Sequence, residues 1–344
     1  MSRAGGTVVP QVELGQAEVA REKRRLVPRR VARLFSNPLA GVFAALVLIF
    51  VASCFLSPYF LTPFNMLIVS RALAFVGMVT IAQALLMIMG ELDLSLGAIG
   101  GLCGVLGGIM MVELGWDPFL AFGLCLLFGV LFGLVNGLLV TVLGLNSLVV
   151  TIGMAGVYSG LNLVITRGLA ITGIPDSIGF LGKGVYLGVP MPFVITLVLL
   201  ALLTVVTQKT PFGRYVYALG NSTAAARMLG IPVGRIRVAC FMIAGFCASL
   251  AGMLMVARLG TAQPSIGEIW VMPSIAGSVI GGVATTGGIG SLLGAIVGAA
   301  IIGVIQNIIV LFGVAPYWQS VVSGAIVVLA ISFDAVSRRY IKKE

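Results

Sequence analysis

Residues 118–144 read PFLAFGLCLLFGVLFGLVNGLLVTVLG and contain no charged side chain. A helix of this length, at about 1.5 Å per residue, exceeds the roughly 30 Å hydrocarbon core of a bilayer. Comparable apolar runs occur at 38–57, 236–257 and 291–313. The 344-residue chain is 59% hydrophobic and only 9% charged, which excludes a soluble globular protein. We therefore predict an all-α polytopic membrane protein.

The positive charges predict its orientation. Of the 21 Lys and Arg residues, 17 lie in three segments, 1–37, 209–237 and 338–343. Because basic residues concentrate on the cytoplasmic side of membrane proteins, both termini and the central loop are expected in the cytoplasm. Contact of these segments with anionic lipid head groups accounts for the net charge of +10, so nucleic-acid binding is not expected.

About ten apolar passes agree with this orientation, since six precede the basic central loop and four follow it. The predicted spans are 38–57, 66–90, 95–112, 118–143, 147–165, 191–207, 237–259, 269–286, 290–313 and 316–334. Two of them, 66–90 and 269–286, are candidates for discontinuous helices. The resulting organisation is a cytoplasmic tail (1–37), a transmembrane domain (38–337) with a cytoplasmic loop (209–236), and a second tail (338–344). The segment 166–190 is predicted to be the longest external loop.

Composition restricts the chemistry. The chain has no histidine, and its five cysteines lie in apolar runs without CxxC spacing, so neither a metal site nor a cofactor is expected. It also lacks the GxxxxGK[ST] pattern of a P-loop. Glycines four residues apart, as at Gly129, Gly133 and Gly137, are predicted to let helix backbones touch. The chain is therefore not expected to hold a metal or to bind ATP through a P-loop.

The central loop carries a short predicted helix. The segment 210–232 reads as a turn followed by a helix from about Thr223 to Leu229, with Asn221 or Ser222 as its cap. Gly230 and Pro232 are expected to end it. A two-turn helix rich in alanine has too little apolar surface to fold alone, which favours insertion into a groove of another protein. A plain surface loop is the alternative.

This loop resembles the cytoplasmic coupling segment of the branched, ribose-type family of ABC importer permeases, whose pattern is TxxGRxxYAxGxNxxAAxxxGI. Two more patterns of that family occur in the same order. Its GGIDLSVG is similar to residues 90–97, GELDLSLG, and its GGTSLxGGRGS is similar to residues 281–291, GGVATTGGIGS. Departures from the patterns include Glu91 in place of a glycine and Ile289 in place of an arginine. The likeness covers about residues 40–337.

The resemblance implies a permease subunit of a bacterial ABC importer in the inner membrane. Its solute would be a monosaccharide, such as a ribose-like pentose, a hexose or a polyol, delivered by a periplasmic binding protein. Two ATPase subunits and a second permease, either a copy or a paralogue, are the other implied partners, and the ATPases would hydrolyse ATP. The residues implied in coupling are Gly220, Asn221, Ala224, Ala225, Arg227, Gly230 and Ile231.

Polar side chains within or near the spans are candidates for a translocation pathway for a neutral, hydroxyl-rich solute. They are Gln83, Asp93, Ser95, Asn136, Asn162, Gln306 and Asn307. The alternative is that they bind neighbouring helices, and Asp93 in particular is predicted to be the N-cap of a helix that begins at 94 or 95. The alternative function is a secondary carrier or channel for a small neutral solute that works without ATPases.

Overall fold

The computed structural model describes residues 38–315 and isolated positions between 318 and 332. The predicted tails 1–37 and 338–344, and most of the predicted span 316–334, lie outside the described residues. Within the described part, the chain forms twelve α-helices, one turn of 3₁₀-helix and four two-residue strands.

The helices follow the apolar runs of the sequence, with short connections between most of them. They are α1 Pro38–Leu56, α2 Pro63–Met89, α3 Leu96–Val112, α4 Pro118–Val142, α5 Ser147–Thr166, α6 Gly179–Lys183, α7 Met191–Lys209, α8 Pro211–Asn221, α9 Thr223–Met228, α10 Val233–Leu259, α11 Val271–Ile280 and α12 Leu292–Leu311. The strands are β1 Ile171–Thr172, β2 Val185–Tyr186, β3 Val189–Pro190 and β4 Thr261–Ala262.

Seven of the described helices are long and apolar enough to cross a membrane: α1, α2, α4, α5, α7, α10 and α12. Each matches a predicted span to within a few residues. The predicted span 95–112 is the shorter helix α3. The predicted discontinuity in the span 269–286 is confirmed, because α11 covers only ten residues and irregular backbone follows it from Gly281.

The centre of the bundle consists of α2 and α10, each 27 residues long. In the most apolar 18-residue window of α2, 83% of the residues are buried, against 6% for α1. Helix α10 packs against α2, α3 and α4, while α2 also packs against α7, α11 and α12. The predicted discontinuity in 66–90 is wrong, since α2 is unbroken from Pro63, at its N-terminus, to the left-handed Gly90 that ends it.

Glycines allow α4 and α10 to lie in direct backbone contact, as predicted. A Cβ on Gly129 would stand 2.5 Å from the carbonyl oxygen of Gly245, and a Cβ on Gly137 would stand 3.0 Å from the Cα of Val238. Both distances are shorter than ordinary packing contacts of about 3.5–4.0 Å. Larger side chains would separate the two helices.

The segment between α10 and α11 lies along α3. Gly97 and Gly101 face the backbone carbonyls of Gly267 and Ile266 at distances too short for a Cβ. Strand β4 pairs with β1 in an antiparallel manner, so that Ala262 faces Ile171. The predicted loop 166–190 therefore contains paired strands and the short helix α6, and it is not plain coil.

Candidate functional site

The first part of the central loop forms helix α8, where the sequence predicted a turn. Thr210 caps this helix, since its hydroxyl accepts a long hydrogen bond of 3.5 Å from the Gly213 N–H, and Pro211 occupies the first helical position. Both are ordinary features of a helix start. Gly213 and Gly220 weaken the helical pattern in the sequence, which is why the turn was the simpler prediction.

The second part of the loop is the predicted short helix, α9. Ser222 caps it by accepting a hydrogen bond from the Ala225 N–H at 3.2 Å, and Gly230 follows its end with a φ of +74°. Both features confirm the predicted start and stop. We call α8 and α9 together, residues 211–228, the coupling segment, after the family segment that they resemble.

The outer face of α9 is apolar and exposed. Met228 and the following Leu229 are 85% and 78% exposed, and Ala224 and Ala225 are exposed as well. Ala226, on the opposite face, is buried against the rest of the protein. Arg227 is exposed, while Ile231 is half-buried and packs against the core. The helix is therefore held from one side by Ala226 and exposes two alanines, Met228 and the charged Arg227 elsewhere.

Three glycines from distant parts of the chain meet where the coupling segment touches the bundle. A Cβ on Gly287 would stand 2.9 Å from the Cα of Gly90 and 3.0 Å from the Cα of Gly220. Gly220 itself abuts the Ile88 carbonyl, to which the Gly288 N–H donates a hydrogen bond of 2.8 Å. We call Gly90, Gly220 and Gly287 the glycine junction. It brings together the three sequence motifs that carried the family resemblance.

A hydrogen bond from Tyr217 fixes α8 to the same place, and a hydrogen bond from Asn221 lies within the helix. The Tyr217 hydroxyl donates to the carbonyl of Gly290 at 2.8 Å, and the Asn221 side-chain amide donates to the Tyr217 carbonyl at 3.0 Å. Burial raises the pKa of Tyr217 above its usual value. Helix α8 is thereby tied to the irregular segment 281–291 that leads into α12.

The six residues between α2 and α3, which we call the linker 90–95, are held by surrounding helices. From α5, the Ser147 hydroxyl accepts from the Leu92 N–H at 3.3 Å, and the Thr151 hydroxyl accepts from the Leu94 N–H at 3.1 Å. These side chains satisfy backbone donors that lie outside any helix. The linker is consequently an ordered part of the structure.

A buried polar network surrounds Asp93. Its carboxylate accepts hydrogen bonds from the N–H and hydroxyl of Ser95 at 2.7 and 2.6 Å and from the Asn136 amide at 3.1 Å. The Tyr158 hydroxyl donates to Asn136 at 3.1 Å. The predicted capping role of Asp93 is wrong, because α3 begins at Leu96 and its N-cap residue is Ser95. Burial raises the pKa of Asp93, and the hydrogen bonds partly oppose that effect.

The remaining pathway candidates lie on α2, α5 and α12. Asn307 exchanges two hydrogen bonds, of 2.8 and 2.9 Å, with Asn65, and Asn162 donates to the carbonyl of Pro264 at 2.8 Å. Gln306 is half-buried on α12. Gln83 is fully buried on α2, and both polar atoms of its amide lack a partner among the described residues. The structure thus joins Asp93, Ser95 and Asn136 in one hydrogen-bonded group.

Sequence reasoning missed several residues of this region. Tyr158 and Asn65 each complete a hydrogen-bonded group whose other members were predicted. Glu91 forms an ion pair with Arg237, with 2.8 Å between Oε1 and Nε. The signal for this pair was present in the sequence, since Glu91 is a departure from the glycine of the resembled motif.

The sequences of known proteins match most of this chain. Residues 64–331 match the family model described as branched-chain amino acid transport system / permease component. The chain is 37% identical to the ribose import permease protein of Bacillus subtilis (strain 168), over 87% of this chain and 92% of the relative. It is 32% identical to the autoinducer 2 import system permease protein of Escherichia coli (strain K12 / DH10B), over 84% of each. No solved structure matches the chain significantly.

Proposed function

The chain belongs to the family of branched-chain amino acid transport system permease components, and we propose that its cargo is ribose or a similar small polyhydroxylated solute. It is a multi-pass inner-membrane permease subunit of an ABC importer. The full-length similarity to a ribose import permease supports a sugar-like cargo more directly than the general family description does. A periplasmic binding protein would deliver the solute, and ATPase subunits would drive its passage.

The exposed apolar face of α9 carries the proposed docking of an ATPase. Met228, the last residue of the six-residue helix α9, and Leu229, which follows it, expose most of their surface. Such a helix gains little from its own hydrogen bonds, and burial of these side chains in a groove would add hydrophobic stabilisation of about 25 cal/mol per Å². Ala224 and Ala225 give a partner surface close access to the helix.

The glycine junction supplies the proposed route for coupling. A movement of α9 would pull on α8, and α8 meets α2 and the segment 281–291 through the backbone of Gly220. A backbone contact has no side-chain rotamers to absorb the displacement. Movement would therefore pass to the end of the central helix α2 and to the start of α12, and it would change access to the solute path between the central helices.

Ala225→Glu tests the docking. The change replaces a small exposed contact with a larger charged one, whose desolvation in a groove costs several kcal/mol. The permease would be purified with its ATPases, and co-elution and solute-stimulated ATP hydrolysis would be measured. Ala170→Glu is the matched control, since Ala170 is also exposed but lies in the loop between α5 and β1. We expect loss of co-elution in the first variant and none in the second.

Transport in proteoliposomes tests the cargo and the mechanism together. Uptake of ribose that requires both ATP and the binding protein would support the proposal. Uptake that proceeds without ATPases would favour the secondary carrier or channel, and uptake of leucine in place of ribose would assign the cargo named by the family description. Wild-type coupling in the Ala225→Glu variant would contradict the role of α9.

A further inference from the structure

The ion pair between Glu91 and Arg237 lies between the linker 90–95 and the helix that follows the coupling segment. The two side chains are 13% and 17% exposed, and Glu91 Oε1 lies 2.8 Å from Arg237 Nε. Glu91 follows Gly90 of the glycine junction directly. Arg237 lies in the second turn of α10, which begins at Val233, only a few residues after α9.

We propose that this ion pair is a second coupling link, which transmits movement of the coupling segment to the linker 90–95 and so to α3. The inference rests on the proposed function, because it requires that ATPases move α9. Glu91 and Arg237 would act as positioning residues that do not touch the solute.

The contacts of the linker 90–95 explain why this ion pair can transmit movement of the coupling segment. Ser147 and Thr151 hold the linker from α5, and Asn136 holds it from α4. Neither of those helices is joined directly to the coupling segment. Arg237 belongs to α10, which is joined to α9 by the residues 229–232, so its position follows that of the coupling segment most closely.

The surrounding charges leave the two groups dependent on each other. Asp93, the other acid of the linker, faces Ser95 and Asn136. Arg235, the neighbouring base of α10, is exposed. Loss of one member would leave the other poorly solvated, which is more damaging than loss of a surface pair. A glycine at position 91, as in the resembled motif, could form no such pair.

A charge exchange tests the proposal in the complete transporter, reconstituted in proteoliposomes with its ATPases and binding protein. The variants are Glu91→Gln, Arg237→Gln, Arg237→Lys and the double exchange Glu91→Arg with Arg237→Glu. Glu113→Gln and Arg235→Gln are controls, because both residues are charged and exposed. The readouts are solute imported per ATP hydrolysed, ATPase co-elution and the melting temperature.

We expect each Gln variant to import about tenfold less solute per ATP, a change equivalent to about 1.4 kcal/mol, with ATPases still bound. Arg237→Lys and the double exchange should recover most of the loss, and the controls should resemble the wild type. A double exchange that folds and binds ATPases but recovers nothing would overturn the ion-pair link. The same conclusion would follow if the Gln variants coupled normally. If the wild type bound no ATPase, the proposed function would fail as well.

Discussion

Replacement of Gly133 by alanine tests the packing that holds the bundle together. Gly133 lies on α4 against α10, the two helices with the most extensive contact in the described chain. A Cβ there would overlap with the Phe241 carbonyl oxygen and would lie 2.9 Å from its carbon and 3.0 Å from the Met242 Cα. Carbon atoms normally pack about 3.5–4.0 Å apart, so α4 and α10 would have to separate by about 0.5–1 Å.

The expected cost follows from that separation. Overpacking of a well-packed site costs about 1–3 kcal/mol, and a gap of 0.5–1 Å loses a quarter to a half of each dispersion contact. The neighbouring close contacts at Gly129 and Gly137 would be weakened together with that at position 133. Alanine also favours the helix by about 1 kcal/mol relative to glycine, which offsets part of the loss.

Gly123→Ala is the matched control on the same helix. A Cβ at position 123 would meet nothing within 4 Å, so this variant keeps the gain in helix propensity without the clash. The difference between the two variants therefore measures overpacking alone. Melting temperatures would be measured by thermal unfolding in detergent, with fluorescence-detected size exclusion as the readout. The melting temperature of Gly133→Ala should be lower than that of Gly123→Ala by about 2–4 °C for each kcal/mol of lost stability. Equal melting temperatures would refute close contact between α4 and α10.

Three further predictions follow from the site. Gly220→Ala should lower ATP-driven transport by more than about tenfold, because the added Cβ would collide with the Ile88 carbonyl, while the protein remains in the membrane. Uptake assays and membrane immunoblots would check this result. Normal uptake would contradict the glycine junction. Asn136→Leu should destabilise the protein by about 1–3 kcal/mol, since it removes the amide that donates hydrogen bonds to Asp93 and Ser95. An unchanged melting temperature would contradict the network. Single cysteines that replace Met228 and Tyr186 should be labelled from the cytoplasm and the periplasm, respectively, in a cysteine-free background; labelling of both from one side would overturn the predicted orientation.

The sequence predicted the long helices well because the membrane imposes a simple length rule. Runs without charges must be helical in hydrocarbon, so the limits of α4 and α5 could be read directly from Pro118 and Ser147. This length rule does not apply where the backbone is surrounded by protein and not by lipid. The segment after α11 is irregular because its polar groups bond within the protein, as the Ala284 N–H does to the Ile289 carbonyl at 2.9 Å.

The sequence predicted individual residues of the candidate site but not which of them lie in contact. The sequence identified Asp93 and Asn136 as polar residues within an apolar chain, and it offered neighbouring helices as their alternative partners. Their contact depends on where α4 passes the linker, 43 positions away, and no local pattern encodes that distance. The same applies to Asn65 and Asn307, whose side-chain amides exchange two hydrogen bonds between α2 and α12.

Gln83, another predicted residue of the translocation pathway, differs from these residues in its hydrogen bonding. Its amide is fully buried on the central helix α2, and neither its oxygen nor its nitrogen has a partner among the described residues. An unpaired buried amide is costly, by about 1–3 kcal/mol for each unsatisfied group, so its presence calls for a function or a water molecule. A hydroxyl group can donate to the oxygen and accept from the nitrogen at once. Contact between Gln83 and a polyhydroxylated solute therefore stays a prediction, whereas the hydrogen bonds between Asn65 and Asn307 join α2 to α12.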